Sequence, residues 1–531
     1  MLRSTPRHLA WLLPLVASAC SPWTNLPDQS DWYFEGELWD VDGPVASRAG
    51  LYVPLPLSGG LALVRHTDGG SYDAVDLGEG RLSFLTVAPD GDTVVAFVDR
   101  YRCLYDGDNN APETVDECSS DDLAIESELN VIADGSVVNA VPMDGTFNAI
   151  EYSEDGRFAV AYLDFSKPDL SLNGVINLTG VVVLNLETQQ STPVSVGFAA
   201  DQVLFVNRTD PSTGEPVAER AVVLSQNQVA VVDLTLDVPE RVLTFPLTLD
   251  PDSTVTPVGV QLTPDGRYAM ISVEGRADLY VLDLDNASIN IVELSGNPSD
   301  LAVNEALDRT VLVYGNRSTV DVLEHDFFEI DSFDLDEPMT DLWTGSDFSM
   351  LYNTDAGHDA YKLNLETLQL TEYRLQNPAV QLSVSPNEQF AIALTRAEPG
   401  NSSGVEEIYD NNPGMEVLEL GDDKTTPFLL EGMGVGVAWT ETEATLHALV
   451  LQSGIDYLYQ LDMYTGRPEE LTLDQPALGI GAIPDGPFYI THQSTLGQVT
   501  FLDPISGQRT EVAGFGTLGL FDEIQLLDEE N

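Results

Sequence analysis

The stretch VGVQLTPDGRYAMISVEGRADLYVLDLDNASINIVEL, Val258 to Leu294, decides the fold. It opens with an alternating apolar run and turns at Pro-Asp-Gly. A second apolar run follows, then a short polar turn, then a third run ending in V-L-D-L. Period-two alternation in runs of this length, bounded by Gly, Asp and Asn, reads as short antiparallel strands. The turn residues supply positive φ or side-chain-capped turns.

The unit recurs. Further copies are FLTVAPDGDTVVAFVD, IEYSEDGRFAVAYLD, VQLSVSPNEQFAIALT and IGAIPDGPFYITH. Indexed on the polar residue that ends the third run, the positions are Asp76, Asp134, Asn185, Asp233, Asp283, Glu324, Asn364, Glu419, Asp462 and Asp503, with a mean spacing of about 47 residues. No helical periodicity of useful length occurs between Trp32 and Gly516. Units of three or four short strands cannot bury both faces alone, whereas stacking them radially in a closed ring does. The expectation is an all-β chain, a β-propeller of four-stranded antiparallel blades over 46–516. Most propellers have four to eight blades, so the expected count is about eight (range seven to ten). A split into two rings at DPDSTVTPVG (Asp250 to Gly259) is the alternative. WYFEGELWDV (Trp32 to Val41), within a tether over 20–45, is a candidate closing strand, and 517–531 reads as an acidic tail or edge strand.

These units resemble bacterial YVTN/WD40-like propeller repeats, whose pattern is an SPDG turn, a strand, and a V-x-V-x-D strand. The resemblance runs over roughly Leu51 to Ala513. The YVTN tetrad is missing, with AMISV in its place in the best unit. The resemblance therefore implies the fold and carries no member's chemistry.

The charge balance is extreme: 22 basic against 87 acidic residues, net −65, with lysine only at Lys167, Lys362 and Lys424. Such a surface repels phosphate backbones and anionic lipid, so nucleic acid is not an expected partner. It attracts divalent cations or basic proteins, and it also serves simply as a solvation device. The densest acidic run, Glu324 to Asp341, reads as an exposed strand edge and loop.

The N-terminus MLRSTPRHLAWLLPLVASACS has the basic, apolar and small-residue regions of a secretory signal over 1–19, too short for a membrane span. Ala17-Ser18-Ala19-Cys20 resembles a bacterial lipobox, with Ala where Leu is usual, which implies lipidation of Cys20. Ser21 resembles the sorting pattern for the outer membrane, so the expected location is the outer membrane or cell surface, with the lipid as the only membrane contact. Cleavage at an A-x-A site, giving a periplasmic or secreted soluble chain, is the alternative. In that oxidising compartment Cys103 and Cys118 are expected to form a disulfide. The loop this closes would stabilise the fold by about 3 kcal/mol through the denatured state.

Between them, Asp106, Asp108 and Asn110 stand at positions 1, 3 and 5 of a calcium-type run, with Glu117 at position 12. Ala111 replaces the glycine of the sharp turn and no helices flank the run, so it is no EF-hand. A looser Ca²⁺ site remains the minority reading beside a hydrophilic insertion, and no other cofactor is expected.

His66, His325, His358, His447 and His492 carry no metal-binding spacing. His66, His447 and His492 are candidates to converge at the ring axis. Nucleophile elbows, P-loops and dinucleotide fingerprints are absent, so no catalytic residue is assigned. The long inserts Asp106–Glu126, Ser166–Leu178 and Ala397–Gly414 are where recognition is expected on a rigid scaffold. The function expected is a non-catalytic, monomeric cell-envelope propeller that binds or scaffolds a protein or glycan partner. The rivals are a lactonase-, lyase- or dehydrogenase-like propeller enzyme with an axial site, and a calcium-dependent adhesin.

Overall fold

A computed structural model describes residues 44–517, apart from internal segments of which the longest are 104–122, 165–178, 210–215, 249–254 and 401–406. Among the described residues, forty strands form ten four-stranded antiparallel sheets, each built from four consecutive strands. The blades are 1 (45–75), 2 (81–143), 3 (149–195), 4 (202–246), 5 (257–293), 6 (300–334), 7 (341–374), 8 (379–429), 9 (434–472) and 10 (477–513). The candidate closing strand at 32–41, the tail at 518–531, Cys20 and the loop 104–122 lie outside the described residues.

The ring is single and closed. Ten apolar clusters each join two neighbouring blades, from blades 1 and 2 round to blades 9 and 10. The tenth seals the circle, packing Leu51, Ala62 and Val64 of blade 1 against Val499, Phe501 and Phe515 at blade 10. This corrects the expected count of about eight blades, and it removes the two-ring alternative. The outer strand of blade 4 ends at Pro246, the inner strand of blade 5 starts at Pro257, and these two blades share a core containing Val231, Phe245, Val260 and Ile271. The repeat index had counted ten units; only the usual size of propellers argued for fewer.

Second and third strands are buried on both faces in most blades. In blade 5 they are Tyr268–Val273 and Asp278–Asp283, each with five buried residues in a row, whereas the outer strand Ser288–Glu293 has none. A sheet held between two neighbours has no solvent face, so its middle strands read as continuous apolar runs. Burying each such Val, Leu or Ile stabilises the fold by about 1.5–3 kcal/mol.

The turns follow from their sequences. In blades 3, 5 and 8 the turn after the inner strand is tied by one hydroxyl. Ser153, Thr263 and Ser385 donate to Asp155, Asp265 and Asn387, and accept the amides of Phe158, Tyr268 and Phe390. The polar residue ending the third strand caps the next turn. Asp283 accepts from the amides of Asp285 and Asn286, and Asp462 and Asp503 do the same two and three residues on. Nine of the ten index residues occupy this position. Asp76 is the exception: it follows the outer strand Ser71–Val75, and the third strand of blade 1 is Gly60–Arg65.

Candidate functional site: the insert-bearing face and its buried carboxylates

In every blade the chain runs alternately toward the two faces of the ring. Connections between second and third strands therefore share one face with the links between blades. All three long inserts leave from such connections, in blades 2, 3 and 8. In blade 2 the flanking strands Thr93–Cys103 and Leu123–Ala133 each run to 11 residues, and Cys103 is paired with Leu123 across the ladder. Asp106, Asp108, Asn110, Glu117 and Cys118 follow in the segment outside the described residues, so neither the disulfide nor the calcium reading is tested there. In blade 8 the insert includes a short helix, Glu407–Asp410.

The inner strands, nearest the axis, carry charged residues only at Arg81, Glu151, Arg208, Asp300, Asp341 and Glu441. Asp300 and Asp341 head the inner strands of blades 6 and 7 on the insert-bearing face. Asp300 accepts the amides of Leu301 and Leu342 at 2.8 and 3.1 Å. Burial, with Asp341's like charge adding to it, pushes Asp300 up to about 6.

The histidines do not converge. His66 follows the third strand of blade 1 and packs on Phe501. His447 lies near the start of the second strand of blade 9, and His492 ends that of blade 10, at the opposite face. Second and third strands stand back from the axis, which is why strand ends that look alike in sequence do not meet. His492 is held by Thr500 and the Gln475 carbonyl, and His325 by Thr310. His358 pairs with Glu398 at 2.9 Å. Among the described residues no three His, Cys, Asp or Glu side chains gather as a metal site.

Among the buried carboxylates that escaped the sequence reading, two occupy equivalent places in different blades. Asp321 and Glu416 are each the third residue of a third strand, in TVDVLE of blade 6 and GMEVLE of blade 8. Asp321 is fully buried and fully served. It accepts the Ser295 amide (3.0 Å), the hydroxyls of Ser295 (2.8 Å) and Ser332 (2.7 Å), and the hydroxyl of Tyr314. Glu416 is equally buried, yet only the Gln376 amide reaches it closely, at 2.6 Å to Oε1. Its Oε2 has no partner. Burial pushes Glu416 up to about 7, against the opposing pull of the Gln376 and Asn377 amides and of His358. Two further buried oxygens nearby have no partner, Oδ1 of Asn377 and Oδ2 of Asp410. The only sequence signal was an acid within an apolar run.

No family profile matches the chain, and no characterised protein matches it by sequence. Solved structures with a similar fold include the dihydro-heme d1 dehydrogenase NirN, at 11% identity and a TM-score of 0.37 over 64% of this chain and 72% of that one. A eukaryotic initiation factor is 12% identical, with a TM-score of 0.47 over 81% and 96%. The hydrazine synthase of Kuenenia stuttgartiensis is 14% identical, with a TM-score of 0.29 over 70% and 96%.

Proposed function

We propose that this chain is an exported propeller, anchored to the cell envelope through lipid on Cys20, that binds or scaffolds a protein or glycan partner without catalysing a reaction on it. The observation that carries the reading is the origin of the three long inserts on one face of a rigid ring, where loops on a fixed scaffold serve recognition. The sparse charge of the inner strands supports it too. A pull-down with the mature chain tests it. Replacing the inserts of blades 2, 3 and 8 by short turns should abolish capture. Shortening the hairpin of blade 4 on the opposite face (209–216) should leave capture intact. Capture unaffected by removal of all three inserts rules the reading out. An unmodified Cys20 in mass spectrometry rules out the anchor alone.

A second reading is chemistry at the axial channel, favoured by the acid pair Asp300 and Asp341. It requires an activity lost in Asp300→Asn.

A further inference from the structure

Where the insert of blade 8 rejoins its third strand, three buried side-chain oxygens have no hydrogen-bond partner. Glu416 and Asn377 are each 2% exposed and Asp410 is 5% exposed. Their proximity is fixed by bonds already formed. The Gln376 amide holds Glu416, and the next residue, Asn377, donates its Nδ2 to the carbonyls of Tyr409 (2.6 Å) and Asn412 (3.1 Å). Asp410 follows Tyr409 in the short helix, and its own carbonyl accepts the Glu398 amide at 2.8 Å. Glu416 Oε2, Asn377 Oδ1 and Asp410 Oδ2 are all acceptors without a donor.

Blade 6 provides the control. At the matching place in blade 8, the Ser332 hydroxyl is replaced by Pro427, which pairs with Glu416 across the ladder and has no hydrogen to give. Tyr314, just past the second strand of blade 6, is matched by Arg396, whose guanidinium turns away to the carbonyls of Thr354 and Asp355. Ser295, whose hydroxyl serves Asp321, is matched by Gln376, which contributes its amide alone. Every hydroxyl that blade 6 offers its carboxylate is absent in blade 8, and only the backbone amide is kept. A buried carboxylate oxygen without a hydrogen-bond donor costs several kcal/mol.

We infer that Glu416, Asp410 and Asn377 form a binding site for one hard divalent cation, Ca²⁺, which fastens the insert of blade 8 to the ring. The donor set is two carboxylates and an amide carbonyl, with no sulfur or imidazole, and that chemistry selects an oxygen-seeking ion. Because the third oxygen comes from an amide, the site is not a trio of acids. Water would complete the coordination. The site is separate from the run at Asp106, and it does not depend on the proposed partner.

The test is calorimetric titration of EDTA-treated full-length mature protein with CaCl₂ at physiological salt, which suppresses weak binding to surface acids. Wild type should show a saturable site and a melting temperature that rises with Ca²⁺. Glu416→Gln/Asp410→Asn should lose that site, whereas Asp106→Asn/Asp108→Asn should retain it. If the double variant fails to fold by near-ultraviolet circular dichroism, Glu416→Gln alone decides, with a loss of affinity of about tenfold or more expected. The inference is overturned if wild type shows no saturable site, or if the site persists in Glu416→Gln.

Discussion

Blades 6 and 8 put an acid at the same place in the same strand and treat it in opposite ways. Asp321 sits among four donors drawn from three chain segments, so its oxygens are fully served inside the protein. Glu416 keeps one close donor and an open oxygen. Repetition supplies the slot, and the neighbouring side chains decide whether it is structural or available. A ring of similar units is well suited to this division, because one blade can lose donors while the others hold the circle.

The same chemical change should therefore give unequal results in the two slots. Asp321→Asn replaces an acceptor oxygen with an amide that faces hydroxyls already committed as donors. It should destabilise the protein by about 3 kcal/mol, since hydrogen bonds to charged groups are worth about 1.5–3 kcal/mol and their buried partners would be stranded. Denaturant melts with unchanged m-values check this. A loss under about 1 kcal/mol would mean that the network is ornamental and that the comparison fails.

Asp300 lies between these extremes, with two amide donors and a like charge nearby. Its folded-state value of about 6 stands above the 3.8 of the free side chain, so the native state holds a proton that the unfolded chain releases. The stability this contributes is complete below about pH 4 and is lost as pH rises through 6. Because the side chain is partly exposed, the loss should be about 1–2 kcal/mol. Asp300→Asn should flatten that part of the profile; an unchanged slope between pH 4 and about 6.5 would assign it to other groups.

Glu416→Gln, in metal-free protein, should change stability by about 1 kcal/mol or less, because the backbone amides keep an acceptor and no hydroxyl is stranded. A loss as large as that of Asp321→Asn would show that the two slots are equivalent after all.

The ring was legible because the strands announce themselves. Apolar runs, hydroxyl-tied turns and capped strand ends recur along the chain, and the index residues gave the blade count. Its one slip, at Asp76, came from a blade whose third strand ends at Arg65 without an acid. The carboxylate slots were hidden for a physical reason. TVDVLE and GMEVLE look alike, and what separates them lies far along the chain. Ser295 is 26 residues from Asp321, and Gln376 is 40 from Glu416, each across a blade boundary. Strand patterns report which face is buried; they do not report which donors a neighbouring blade brings.

The smallest effect is expected where charge meets water. Arg48, at the seam that closes the ring, donates to Asp92 of the blade 2 turn at 2.9 Å and to Asp485 of the blade 10 turn at 3.3 Å. Its position suggests a clasp across three blades, yet its side chain is 48% exposed. Ion pairs in high dielectric gain little over hydration and lose side-chain entropy, so they are worth about 0–1 kcal/mol and weaken with salt. Closure rests instead on the apolar contact of Leu51, Ala62 and Val64 with Val499 and Phe501. Arg48→Ala should accordingly lower the melting temperature only slightly in low salt and less in high salt, while Phe501→Ala, at the same seam, should cost about 3–5 kcal/mol at either. Equal losses from the two variants would place the seam's strength in its charges and reverse the lesson of the buried slots.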